Sequence, residues 1–142
     1  MIDIKTWVVV LVSMLSLDAI WLGVIQKTYL NGMIERLNPT DSLRKGLTHP
    51  LWSFAIVYLL MSLALTYFVL GEKNKSSMQM YLETILLAGA IYATFDFTMM
   101  NLSGGWTLYD AIKDISWGLA VFTISTFLVI KLRSVLPHIF RS

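Results

Sequence analysis

The chain has 142 residues, of which 56% are hydrophobic and only 14% charged, with a mean hydropathy of +0.67 and a net charge of +2. Soluble domains carry about 25% charged residues, so this composition belongs to the membrane class. The small, dispersed positive charge excludes nucleic acid as a partner, and the absence of Cys excludes disulfides, thiol catalysis and thiolate metal sites.

The first apolar run covers 6–25 and holds one charge, Asp18. It follows Lys5 as a signal peptide would, but it is long and lacks a small-x-small cleavage site, which predicts a retained span. Its 11 Leu, Ile and Val residues, at about −0.3 to −0.6 kcal/mol each, offset one aspartate at about +3. After it, Tyr29, Leu30, Met33, Ile34 and Leu37 recur at helical spacing between Asn31, Glu35, Arg36 and Asn38. That pattern predicts a short amphipathic helix ended by Asn38-Pro39, either lying on the membrane surface or packed on the mouth of the bundle. A second span follows at 51–70, free of charge, and a third at 78–100, with Glu83 near its start and Asp96 near its end. Ser103-Gly104-Gly105 reads as a tight turn, and Thr107-Leu108-Tyr109-Asp110 as a capping box opening a fourth span at 107–132. No segment alternates with period two, and a backbone in lipid must then satisfy itself as helix. The predicted fold is all-α: a single integral membrane domain over 1–142, a bundle of four transmembrane helices with a short amphipathic helix in the first loop.

Four spans place both termini on one side, together with Lys5, Lys73, Lys75, Lys131, Arg133 and Arg141. The other side carries Lys27, Arg36, Arg44, Lys45 and Lys113, and the excess of six over five predicts cytoplasmic termini. Trp7, Tyr67 and Tyr81 fall near one interface, and Tyr29, Trp52, Trp106 and Tyr109 near the other.

Lone carboxylates in apolar spans cost roughly 2.5–3.5 kcal/mol on insertion scales and call for a partner or a task. Counted along the helices, Asp18 and Asp114 each lie about 10 Å inside a span and Asp96 about 6 Å, all in the leaflet facing the long loop. Gly89, Ala93 and Asp96 share one face of the third span, with Tyr92 beside it. Asp114, Trp117, Gly118, Val121 and Ser125 form a face of the fourth, and Asp18 and Trp21 stand at i, i+3 beside Ala19 and Gly23. Small residues at such spacing mark close helix contacts, which turns the aspartates inward. The run from Asp18 to Gly23 is echoed by the run from Asp114 to Leu119; the two carboxylates share a leaflet, so the echo is not an inverted repeat.

Asp18-Ala19-Ile20-Trp21-Leu22-Gly23, Phe95-Asp96-Phe97-Thr98 and Asp114-Ile115-Ser116-Trp117-Gly118, in this order, resemble a bacterial family of predicted four-helix inner-membrane proteins described as a domain of unknown function. The middle motif of that family reads Tyr-Asp-x-Thr-Asn; here Phe95 and Met99 replace its Tyr and Asn, and Asn101 follows two residues later. The resemblance implies a multi-pass protein of the bacterial inner membrane and assigns no activity.

The candidate polar site comprises Asp18, Trp21, Tyr92, Asp96, Thr98, Asn101, Asp114 and Trp117. One reading is a hydrogen-bonded network that fixes helix register. Another is a site for a small molecule, a proton, a cation or a cationic lipid head group, for which three clustered carboxylates need a proton or a counter-cation among them. The alternative is a membrane-embedded enzyme of lipid or isoprenoid metabolism using the carboxylates as acid and base or as metal ligands. No catalytic residue, metal ligand or cofactor site is assigned: His49 and His138 lack metal-ligand spacing, and the eight Met residues are scattered gap-fillers. The lipid bilayer is the expected partner, with a lipid or small cationic ligand and a second copy of the chain as candidates.

Overall fold

A computed structural model describes residues 2–37, 52–72 and 74–140, of which 88% are helical and none is in a strand. Four helical segments are long and apolar enough to cross a membrane: Ile4–Ile25, Trp52–Val69, Ser77–Leu102 and Leu108–Val135. The first is α1 (Ile4–Ile20) continued by a π-helical turn at Trp21–Ile25, and the second is α3 (Trp52–Ala64) continued by another at Leu65–Val69. Between them stands α2 (Lys27–Leu37); α4 (Ser77–Leu102), α5 (Leu108–Val135) and the short α6 (Pro137–Phe140) complete the order. Asn38-Pro39, Arg44, Lys45, His49, Leu51, Lys73 and Arg141 lie outside the described residues.

Local chemistry explains the ends of these helices. Asp3 accepts from Lys5 N at 3.1 Å and starts α1, while Ser76 accepts from Gln79 N at 3.2 Å and starts α4. Thr107 and Asp110 form the capping box expected at the start of α5. The ring of Pro137 disfavours a helical Leu136, and α5 stops at Val135.

In space the spans run in the order α3, α1, α5, α4. The α4–α5 pair is the most extensive packing, and α1 lies between α3 and α5. Among the described residues α4 meets the second span chiefly at its π-helical turn, so α3 and α4 diverge from there toward the long loop. The buried apolar core gathers at the narrow end around Val10, Met14, Leu65, Val69, Phe122 and Val129. Polar pairs cross it at Ser13 Oγ–Ser125 Oγ, 2.8 Å, and Thr84 Oγ1–Thr126 Oγ1, 2.9 Å.

Candidate functional site

The diverging end holds the carboxylates. Asp18, 8% exposed on α1, receives hydrogen bonds from two other spans: Tyr58 Oη donates to its Oδ2 at 2.7 Å and Trp117 Nε1 to its Oδ1 at 2.6 Å. Trp21 does not bond its neighbour on the helix. At the start of the π-helical turn, its ring instead stacks on Trp117, with centroids 4.3 Å apart and planes 10° from parallel. The two echoed Asp-x-x-Trp segments therefore interlock, the Trp of the second serving the Asp of the first.

Asp114 lines the same space and lies within electrostatic reach of Asp18, yet has no hydrogen-bond donor among the described residues. Asp96 is fully buried on α4, within reach of the Asp114 charge, and neither of its oxygens has a hydrogen-bond partner among the described residues. The Trp106 indole N–H acts on Asp96 electrostatically without reaching hydrogen-bond geometry, and it too is buried without a partner among the described residues. Trp106, expected at the membrane interface, is 9% exposed and packs edge-to-face on Phe95. Tyr92 lies across α5 at Gly118, where any Cβ would come within 2.4 Å of its ring. The close helix contact is thus made at Gly118; a Cβ at Gly89 or Gly23, expected to make such contacts, would meet no described residue outside its own turn within 4 Å.

Two cavities meet at these residues. One, of about 680 Å³, opens under α2; the other, of about 560 Å³, lies between α3 and α4. They share Asp18, Leu22, Phe54, Tyr58, Asp114 and Trp117. Of the sequence candidates, Asp18, Trp21, Asp114 and Trp117 line the first cavity and Tyr92 the second, with Asp96 buried beside them. Thr98 and Asn101 are not brought there: both are exposed on α4, and Asn101 Nδ2 donates to the Phe97 carbonyl of its own helix at 2.8 Å. Among the described residues no three His, Asp or Glu side chains converge as a metal site would require.

The mouth has its own carboxylate, Asp110, fully buried and read from sequence only as a cap. Its Oδ2 accepts from Thr107 N at 2.8 Å and Thr107 Oγ1 at 2.6 Å, while its Oδ1 accepts from Tyr29 Oη and, at 2.8 Å, from Arg36 Nη2. Both of the latter donors come from α2. Burial and the bond to Asp110 push the Tyr29 phenol well above the ordinary tyrosine range, so it stays a donor. Lys113 Nζ donates to Gln26 Oε1 at 2.6 Å and sits 3.8 Å over the Tyr29 ring. Gly105 lets the α4–α5 turn close on α2, since a Cβ there would lie 2.7 Å from the Arg36 carbonyl oxygen. Of the two placements open for the amphipathic helix, the structure has it packed on the mouth, with Tyr29, Leu30, Met33 and Ile34 lining the cavity.

The family described as "Predicted membrane protein (DUF2177)" matches residues 3–130, and the chain belongs to it. No curated protein and no solved structure matches the chain.

Proposed function

We propose that this protein is a membrane-embedded binding protein that holds an organic cation between Asp18 and Asp114, inside an enclosure formed by Trp21, Tyr58 and Trp117. The observation that carries the reading is the division of labour between the two carboxylates. Asp18 is fixed by donors from α3 and α5, whereas Asp114 lines both cavities with no donor among the described residues. A carboxylate in an aromatic, apolar space favours a weakly hydrated organic cation, which gains from ring faces and Coulomb attraction together. Asp18 also serves as a structural hydrogen-bond hub, so the network reading applies to it and not to Asp114. We further propose a bacterial inner-membrane location with cytoplasmic termini, supported by the excess of basic residues on the terminal side. That orientation turns the mouth under α2 away from the cytoplasm.

The test is a pair of variants measured twice, by thermal unfolding and by tryptophan-fluorescence titration with tetramethylammonium. Asp114→Asn is expected to stay within about 0.5 kcal/mol of the wild type and to bind at least about tenfold more weakly. Asp18→Asn is expected to lose about 1–2 kcal/mol of stability as well as binding, because its two donors keep only a neutral acceptor. Wild-type protein that ignores the cation, or Asp114→Asn that binds it unchanged, would sink the proposal.

A further inference from the structure

Building on the cation-site reading, we infer that the ligand is a single-chain amphiphile, whose cationic head sits at Asp114 and whose hydrocarbon chain lies between α3 and α4, reached sideways from the bilayer. The second cavity leaves the shared carboxylate floor and runs along Val57, Leu60, Met61 and Ala64 of α3, opposite Ile91 and Phe95 of α4. Val57 to Ala64 covers about 10 Å of helix, enough to accompany a chain well past its head. Apart from Asp18, Asp114 and two tyrosine hydroxyls that space is lined by apolar and tryptophan side chains, a division that suits a ligand charged at one end only. The flanks are open: Val57, Leu60 and Phe95 are 48%, 62% and 52% exposed on segments that span the hydrocarbon layer.

The aqueous route has the opposite character. There α2 covers the mouth, held by Tyr29 and Arg36 on Asp110, and Lys113 stands over the Tyr29 ring. Asp110 neutralises Arg36 there, and among the described residues that line this cavity Lys113 is the one positive charge, which repels a cation arriving from water. Between α3 and α4 no charged side chain among the described residues lines the cavity before Asp18 and Asp114. Among the described residues, a cation whose chain already partitions into lipid meets apolar and aromatic side chains on that path.

The experiment uses the full chain in lipid nanodiscs and a dodecyltrimethylammonium probe bearing a diazirine at the chain end, with tetramethylammonium as head-only competitor. Mass-spectrometric mapping is expected to place the label on 57–64 of α3 or 91–95 of α4, and excess tetramethylammonium to reduce it at least about tenfold. Asp114→Asn, shown to be folded by its melting curve, should remove the same label. Competitor-sensitive labelling on α2 or α1, with none between α3 and α4, overturns the lateral path and leaves the cation site standing. Labelling between α3 and α4 that ignores both competitor and substitution overturns the head-group assignment. If tetramethylammonium also fails to change tryptophan fluorescence, the cation-site reading falls with it.

Discussion

Where α1 begins, Thr6 Oγ1 donates to Asp3 at 2.6 Å, and Arg133 donates to Thr6 Oγ1 at 3.0 Å and to the Leu70 carbonyl at 2.9 Å. Lys75 is likewise engaged, by Glu83 at 2.6 Å and by the Phe68 carbonyl at 2.9 Å. Where α1 ends, Asp114 has no donor among the described residues, and Asp96 and the Trp106 indole are buried without partners. The first end uses its polar residues to close helices onto one another, with one buried hydroxyl, Thr66 Oγ1, left over. The second end keeps polar groups unspent around a cavity. Unsatisfied buried groups cost stability, so a chain that meets nearly all of them at one end and leaves Asp96 and the Trp106 indole unmet beneath α2 at the other has assigned the two ends different work.

Three substitutions probe that contrast. Asp110→Ala should have the largest effect, about 3 kcal/mol, because it removes a helix cap and the acceptor for both Tyr29 and Arg36. The loss should be confined to the mouth: amide exchange in α2 should approach that of a free peptide while exchange in α4 and α5 beyond their shared turn stays slow. Global unfolding instead would mean that the open end is as integral to the bundle as the closed one. Arg133→Met should cost about 2 kcal/mol, spread over the whole bundle and read as a lowered melting temperature, with cation binding unaltered. A change in binding there would couple the two ends. The smallest effect is expected at Asp3. Burial pushes its carboxyl up, but the hydrogen bonds from Thr6 Oγ1 and the backbone, with Arg133 nearby, outweigh burial and hold it below the usual range. A depressed folded-state value stabilises above the unfolded pKa of about 3.9 and is lost as pH falls through the folded value. Asp3→Asn should therefore lose a few tenths of a kcal/mol at neutral pH, discounted for exposure, and flatten the acid limb of the melting profile below about pH 4.

Sequence and structure part company at helix rotation rather than helix placement. Predominantly apolar runs of about 20 residues or more fix the spans because lipid leaves the backbone no alternative. Counting residues puts Asp18, Asp96 and Asp114 in one leaflet, and the spacing of Trp21 from Asp18 and of Trp117 from Asp114 makes those rings candidates. Tyr58 stands in the second span, which holds no charge to mark it in the sequence. A signal was present all the same: Tyr58, Ser62 and Thr66 form a polar stripe at i, i+4 spacing. Asp110 was legible only as a cap, since its partners Tyr29 and Arg36 lie 81 and 74 residues away. Thr98 and Asn101 were placed by a motif, and the helix turns them outward. Gly118 rather than Gly89 makes the close contact, because the partner that needs the room is one particular ring, Tyr92.

The two donors on Asp18 also impose an order of events during synthesis. Tyr58 is made 40 residues after Asp18 and Trp117 99 residues after it. At roughly 5–20 residues per second, the second donor leaves the ribosome about 5–20 s after the carboxylate it serves. Throughout that interval the first span carries an incompletely partnered aspartate, kept in the bilayer by its leucines, isoleucines and valines. The first helix to be made is among the last to be completed, and anything that binds Asp18 before Trp117 arrives competes with the folding of the protein itself.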